Sequence, residues 1–466
     1  MTFKESVAQR APFKKDELDT MLAGFGTLSS YQRGMFFDRL DITAFPVLRE
    51  SIKGVLDAIG MTLNRPSNNM NTFPLVTASR SLRSLAIKGV NIDRFQKALA
   101  THLSDPERDV RIAALEALSF TGEGAIPAVE TCLSDKDDSV VAAALNSVSK
   151  LSSAGVNCSR IRKKVFARIG NENQTLNVTA MYAAGTMAAA GVDCIAAVDK
   201  VTGQLHSDVP EVKTAALFGV GMLFGPKARN RTNLRKFAAD VVVASIGDPS
   251  PNVNSTALHA ACDLSLSGLD FTRISEKAYD QLRHPKPEVR TAALHYVDAM
   301  ANPQVRHRAQ IPEWVSGEVF HMVRNDDIRI KTSAMGVAVN LVQMGVKMPA
   351  HTLEEIRSGV NSHSSKVRCS VAYALGELGD QADVERMSHL LRSHDFHTQW
   401  RAAKALLRMN ERGINIDGAE DSLRFAEGRT DLGGNAPVNK IEIATKVVRR
   451  ALDRMPQKTV HLKPAG

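Results

Sequence analysis

The chain has 466 residues, 44% of them hydrophobic and only 5% aromatic, with 59 Lys and Arg against 50 Asp and Glu for a net charge of +9. That length exceeds one ordinary globular core and points to two or three domains or a repeat array, with the scarce aromatics favouring close packing of Ala and Leu between helices. Apolar stretches such as Val241 to Ile246 are far too short to span a bilayer, and five scattered cysteines without a CxxC argue against a disulfide framework and a zinc site.

The mild basic excess permits contact with nucleic acid or an acidic protein and demands neither. The opening MTFKESVAQRAPFKKDE has no continuous apolar segment of a secretory leader, and with the cysteine usage this gives a cytoplasmic expectation. Residues 1–62 are expected to form two or three helices that cap the apolar face of whatever follows, and the stretch from Asn64 to Pro74 reads as a polar loop.

From there one helix recurs. It reads PLVTASRSL at Pro74, VRIAALEAL at Val110, VVAAALNSV at Val140, VKTAALFGV at Val212, VNSTALHAA at Val253, VRTAALHYV at Val289 and VRCSVAYAL at Val367. Weaker copies begin at Leu176 and Ile330, and TQWRAAKAL begins at Thr398. Eight steps from Val110 to Thr398 cover 288 residues, an average of 36. Apolar residues three and four apart make each copy an amphipathic helix.

Two features repeat in phase with it. Five residues before the copies stand Asn69, Asp105, Asp135, Asn171, Ser207, Asp248, His284, Asn325, Ser362 and Ser393, side chains expected to turn the chain or cap the helix start. Fifteen residues after six of the starts stand Gly89, Gly155, Gly191, Gly268, Gly345 and Gly413, each followed by an apolar residue and usually Asn or Asp. Glycine takes the left-handed conformation that ends a helix, the apolar residue folds back, and Asn or Asp caps the next helix. Each unit is therefore helix, tight turn, helix. A longer period of 77 separates the copies at Leu176, Val253 and Ile330, which points to duplication of a pair of units.

The pattern resembles the HEAT and armadillo-like superfamily, including the short bacterial HEAT-like repeats of phycobilin lyases. The resemblance covers roughly residues 65 to 425. It implies an all-α, right-handed α-solenoid of about ten helix-pair repeats, with a cap over 1–62, the solenoid over 63–427, and a basic helix (near Lys440 to Met455) and tail over 428–466. It also implies that the basic residue at the second position of the helix (Arg111, Lys213, Arg290, Lys331, Arg368) stacks into a ladder with loop acids. Such proteins are mostly scaffolds, and the motif says little about function.

In that architecture the second helix lines the concave face, and periodicity places the seventh position of each copy on its exposed side. That row holds Arg80, Glu116, Asn146, Tyr182, Phe218, His259, His295, Gly336, Tyr373 and Lys404. Tyr182, Phe218, His259, His295 and Tyr373 make a broken ladder of flat side chains suited to a peptide, an amphipathic helix or unpaired bases; equally, large residues there can fill gaps between helices. A basic edge of Lys227, Arg229, Arg231, Arg235, Lys236, Arg306 and Arg308 could hold phosphates or carboxylates, or simply be solvated. A third basic run, Arg160 to Arg168, falls on a first helix.

No catalytic or metal-binding constellation stands out. Gly219-Val-Gly221 lies inside a repeat helix with no strand before it, so the nucleotide fingerprint fails. No His-Glu dipeptide of the HEAT hydroxylase kind occurs, and Trp314 and Trp400 make no aromatic cluster of the HEAT-like glycosylase kind. The expectation is a non-enzymatic scaffold or adaptor without cofactor or metal, binding a protein or peptide. A nucleic-acid-binding solenoid is the alternative, and a glycosylase or lyase type of enzyme the third.

Overall fold

The structure, a computed structural model, describes residues 12–42, 51–65, 72–228, 236–393, 395–428 and 453. Every regular element among them is helical. The chain divides into two compact units, Met1–Lys277 with Val305–His307, and Ala278–Gln304 with Arg308–Gly466. The expected basic helix near Lys440 to Met455 lies, apart from Asp453, outside the described residues.

In the first unit, second helices Thr72–Ile87, Arg108–Leu118, Asp138–Ser153, Gln174–Ala189, Pro210–Phe224 and Pro251–Leu266 stack each upon the next. In the second unit Pro287–Ala301, Ile328–Gln343, Ser365–Leu378 and Phe396–Glu411 do the same. These ten helices carry the ten copies read in the sequence, and the fold is an α-solenoid of HEAT-like helix pairs. Helix Asp138–Ser153 shows why the copies look alike. Val140, Val141, Ala143, Ala144, Leu145, Ser147, Val148 and Leu151 are all buried, because the helix meets a neighbour on each side and a first helix beneath. Small Ala residues let the backbones approach, and burial of the larger ones supplies the stabilisation.

First helices are short, and several are flanked by 3-10 turns, as Gln96–Thr101 is by Asp93–Phe95 and His102–Ser104. They are tied to their predecessors by basic side chains. Lys164 donates to the carbonyl of Glu130 at 2.9 Å, Arg168 to that of Leu133 at 3.0 Å and Lys200 to that of Phe166 at 3.0 Å. Arg160 pairs with Glu130 at 2.7 Å. The basic run on this first helix is thus largely occupied in holding repeats together.

The turn chemistry follows the sequence closely. All six glycines after the second helices have φ between 83° and 93°. The next residue's N–H reaches back to the helix, as Val156 does to Leu151 at 2.9 Å. Asn157, Asp193 and Asp270 then accept from the N–H two residues on. One expectation changes. The residues five before each copy, Asp135 or Asn171 for example, also accept from the N–H two residues on, which closes a turn ahead of the helix. The N-cap itself comes two residues later, at Asp137, Asn173, Asp327 or Asp395.

At the N-terminal side Ser30–Ile42 stacks on Thr72–Ile87. Beneath it Phe13, Phe25, Phe36 and Phe37 form a buried cluster with successive ring centroids 5.1 to 5.6 Å apart. Arg39 is buried there, its guanidinium 3.8 Å from the Phe13 ring and 2.9 Å from Glu17.

Candidate interaction face

The seventh position of every copy reaches the surface: none of the ten residues from Arg80 to Lys404 is buried. Sequence reasoning missed a second row, four residues on and therefore one helical turn along the same face. It carries Phe120, Lys150, Thr186, Met222, Asp263, Asn340, Glu377 and Arg408, all of them at least partly exposed. In helix Pro287–Ala301 the outward residue is one earlier, Asp298, since Ala299 is buried. A search for polar residues at the eleventh position of each copy would have found the row.

In the first unit the face is aromatic at its centre. Tyr182 and Phe218, from adjacent second helices, lie with ring centroids 5.0 Å apart and planes at 49°. Gly185 permits this approach, because a Cβ there would stand 2.9 Å from the Phe218 ring. Arg83 pairs with Glu116 at 3.0 Å, and the Lys150 ammonium sits 5.9 Å from the Phe120 ring. Burial and the nearby Arg83 lower the Lys150 pKa. His259 is exposed. One turn on, burial raises the Asp263 carboxyl to about 6, an effect only partly offset by Lys227.

In the second unit the face is polar. His295 and Asp298 share one helix, and Asn340 donates to Asp298 at 2.6 Å. Burial raises the Asp298 pKa and lowers that of His295, each against the pull of the other's charge. Tyr373 is 37% exposed and Arg408 pairs with Glu377 at 3.0 Å.

Two cavities open here. One of about 340 Å³, between helices Ser365–Leu378 and Phe396–Glu411, is lined by Tyr373, Gly376, Glu377, Arg401, Lys404, Ala405, Leu407, Arg408 and Glu411. The other, about 240 Å³, is lined by Thr332, Gly336, Cys369, Ser370, Tyr373 and Arg401.

Of the basic edge, Lys227, Arg306 and Arg308 are exposed and make no ion pair among the described residues. Arg229, Arg231 and Arg235 lie outside the described residues, as does the Lys236 side chain. Among the described residues no group of three His, Cys, Asp or Glu is placed to hold a metal, and no helix is long and apolar enough to cross a membrane. Four of the five cysteines are buried, and burial pushes Cys132 up to about 11 and Cys194 to about 12. Such thiols are poor nucleophiles.

Helix pairs stacked in order within each unit, with an unburied row on the second helices, define the class: an α-solenoid of HEAT-like helix-pair repeats. No known family model and no curated protein matches the chain. Among solved structures it resembles importin β at 12% identity and a TM-score of 0.42, over 94% of this chain and 63% of that one. It likewise resembles Kap121p at 11% identity and a TM-score of 0.43, over 94% of this chain and 50% of that one. The chain spans between half and under two thirds of the length of these relatives in structure.

Proposed function

We propose that this protein is a non-enzymatic, cytoplasmic scaffold or adaptor that binds a protein or peptide along the concave face of its second helices. One observation carries the reading. The seventh-position row stays at least partly exposed in every repeat while the positions on both sides of it are buried, which leaves the row open to a partner even where, as at Tyr182 and Phe218, its members also touch one another. Tyr182, Phe218, His259, His295 and Tyr373 in that row supply stacking and hydrogen-bonding groups, of the kind that anchor peptide ligands.

The experiment is capture of partners from native extract at low and high salt, with and without nuclease, by the wild-type chain and by Tyr182→Ala with Phe218→Ala. A protein held at high salt and after nuclease, and lost by the double variant, supports the reading. Equal capture by both chains counts against it.

A second reading has its own observation: Lys227, Arg306 and Arg308 are exposed and make no ion pair among the described residues. An edge of that kind binds phosphate backbones, and its affinity falls steeply with salt. Nucleic acid recovered at low salt alone would put this reading first.

A further inference from the structure

The smaller cavity of the second unit offers hydrogen-bond donors and no charged acceptor. Arg401 is the only charged residue in its lining. Arg401 and Lys404 lie 5.1 and 5.0 Å from the same Trp400 ring, and neither has a carboxylate partner among the described residues. Arg408, in contrast, is already paired with Glu377 at 3.0 Å and Glu411 at 3.5 Å. The hydroxyls of Ser370 and Tyr373 make no hydrogen bond among the described residues. A guanidinium beside two unoccupied hydroxyls is a donor set that a carboxylate completes.

Gly336 opens this cavity. It stands in the middle of helix Ile328–Gln343, where glycine costs about 1 kcal/mol relative to alanine. No left-handed backbone calls for it, and no neighbour crowds it, since an added Cβ would meet nothing within 4 Å. Gly376, on the next helix, is different: a Cβ there would stand 2.9 Å from Ala405. Packing therefore accounts for Gly376 and leaves Gly336 unexplained. What the missing side chain at Gly336 does is leave a gap in the outward row, on the floor of the space that Arg401 and Tyr373 face. The adjoining 340 Å³ cavity shares Tyr373 and Arg401 as walls and adds Ala405 and Leu407, with Lys404 and with Glu377 and Glu411, whose charges are met by Arg408.

We propose that the second unit holds an acidic peptide segment, with an Asp or Glu carboxylate entering over Gly336 to Arg401, Ser370 and Tyr373. A neighbouring apolar side chain then enters the larger cavity against Ala405 and Leu407. The inference rests on the reading that this face binds a protein segment and names the chemistry of that segment.

The test is fluorescence polarisation with the full chain and a labelled 12-residue Gly-Ser peptide whose centre reads Leu-Glu-Glu-Leu. Its Leu-Gln-Gln-Leu isostere and a labelled single-stranded 12-nucleotide DNA serve as comparisons. The Glu peptide is expected to bind at least ~10-fold tighter than the isostere. Gly336→Leu, which fills the gap while adding helix propensity, should weaken it by ~10-fold or more with helix content unchanged. Arg401→Glu should abolish binding and Arg401→Lys should retain part of it.

Equal affinity for the Glu and Gln peptides overturns the proposal, as does no binding of either. Binding of the DNA alone through Arg401 also overturns it, in favour of a phosphate site. A native partner that Gly336→Leu and Arg401→Glu both retain, but that Tyr182→Ala with Phe218→Ala loses, would leave the scaffold reading standing and remove this inference.

Discussion

The Asn177 carboxamide accepts the backbone N–H of Gly170 at 2.8 Å, and 77 residues later Asn254 accepts that of Gly247 at 2.9 Å. Both glycines have positive φ, 83° and 80°. Asn stands here at the second position of the helix, where other copies carry Arg or Lys. Two of the basic residues at this position reach forward: Arg111 grips Asp135 with two bonds of 3.0 Å, and Lys213 meets Asp248 at 3.0 Å. Arg111 also donates to the Asp105 and Pro106 carbonyls of its own loop, and Arg368 donates to those of Ser362 and His363, so the expected ladder with loop acids does not extend to Arg368. One position thus fastens its own loop through an amide or a guanidinium, and in Arg111 and Lys213 it also bridges to the acid of the next loop. Asn177→Ala is expected to cost about 1 kcal/mol by urea unfolding, since the freed Gly170 N–H can still meet water.

The Arg111–Asp135 pair carries a larger penalty when broken. Its side chains are only 5% and 12% exposed. Asp135→Ala leaves a buried guanidinium without its counter-ion and should cost about 3–5 kcal/mol, whereas Arg111→Met with Asp135→Leu should cost far less. A double-mutant cycle by denaturant unfolding measures the coupling; a cost for the double variant equal to that of Asp135→Ala would contradict this account.

The fold was legible because each repeat advertises its own boundaries. The apolar spacing of Val140, Ala144 and Val148 marks the buried face, and Gly155 marks the turn, so local chemistry and packing agree. The offset between Asp135 and the true cap Asp137 was not legible, since two acids two residues apart both suit a helix start. The interaction face was half legible. Seventh-position residues stood out because Tyr182 and Tyr373 are conspicuous, but Ser370, Arg401 and Gly336 matter only as a set brought together from three helices. In the sequence Gly336 is simply one member of the seventh-position row, and nothing local distinguishes it from a packing glycine such as Gly376.

Whether the aromatic row is surface or core can be settled by stability. Tyr182 and Phe218 are partly exposed, so alanine at either should cost about 1–2 kcal/mol. Tyr296, fully buried with its ring 5.9 Å from Tyr279, should cost about 3–5 kcal/mol when replaced by alanine. Denaturant unfolding of the three variants measures this, and equal losses at all three sites would assign Tyr182 and Phe218 to the core.

Asp263 makes the stability of the first unit depend on pH in a direction opposite to that of most carboxylates. Burial raises its folded-state pKa to about 6 from the ordinary 3.8, so between those values the folded chain holds a proton that the unfolded chain has released. Its contribution is fully favourable below pH 4, falls as pH rises through 6, and is gone near pH 7. Asp263→Asn keeps the shape of the protonated acid without the titration. At pH 7.5 it should therefore be more stable than the wild type by about 1–2 kcal/mol, a figure reduced from the full linkage value because the group retains some contact with solvent. At pH 4 the difference should vanish. Urea unfolding of both chains at the two pH values measures it; a variant less stable than the wild type at pH 7.5 would mean that the ionised carboxylate is held by Lys227 strongly enough to outweigh its burial.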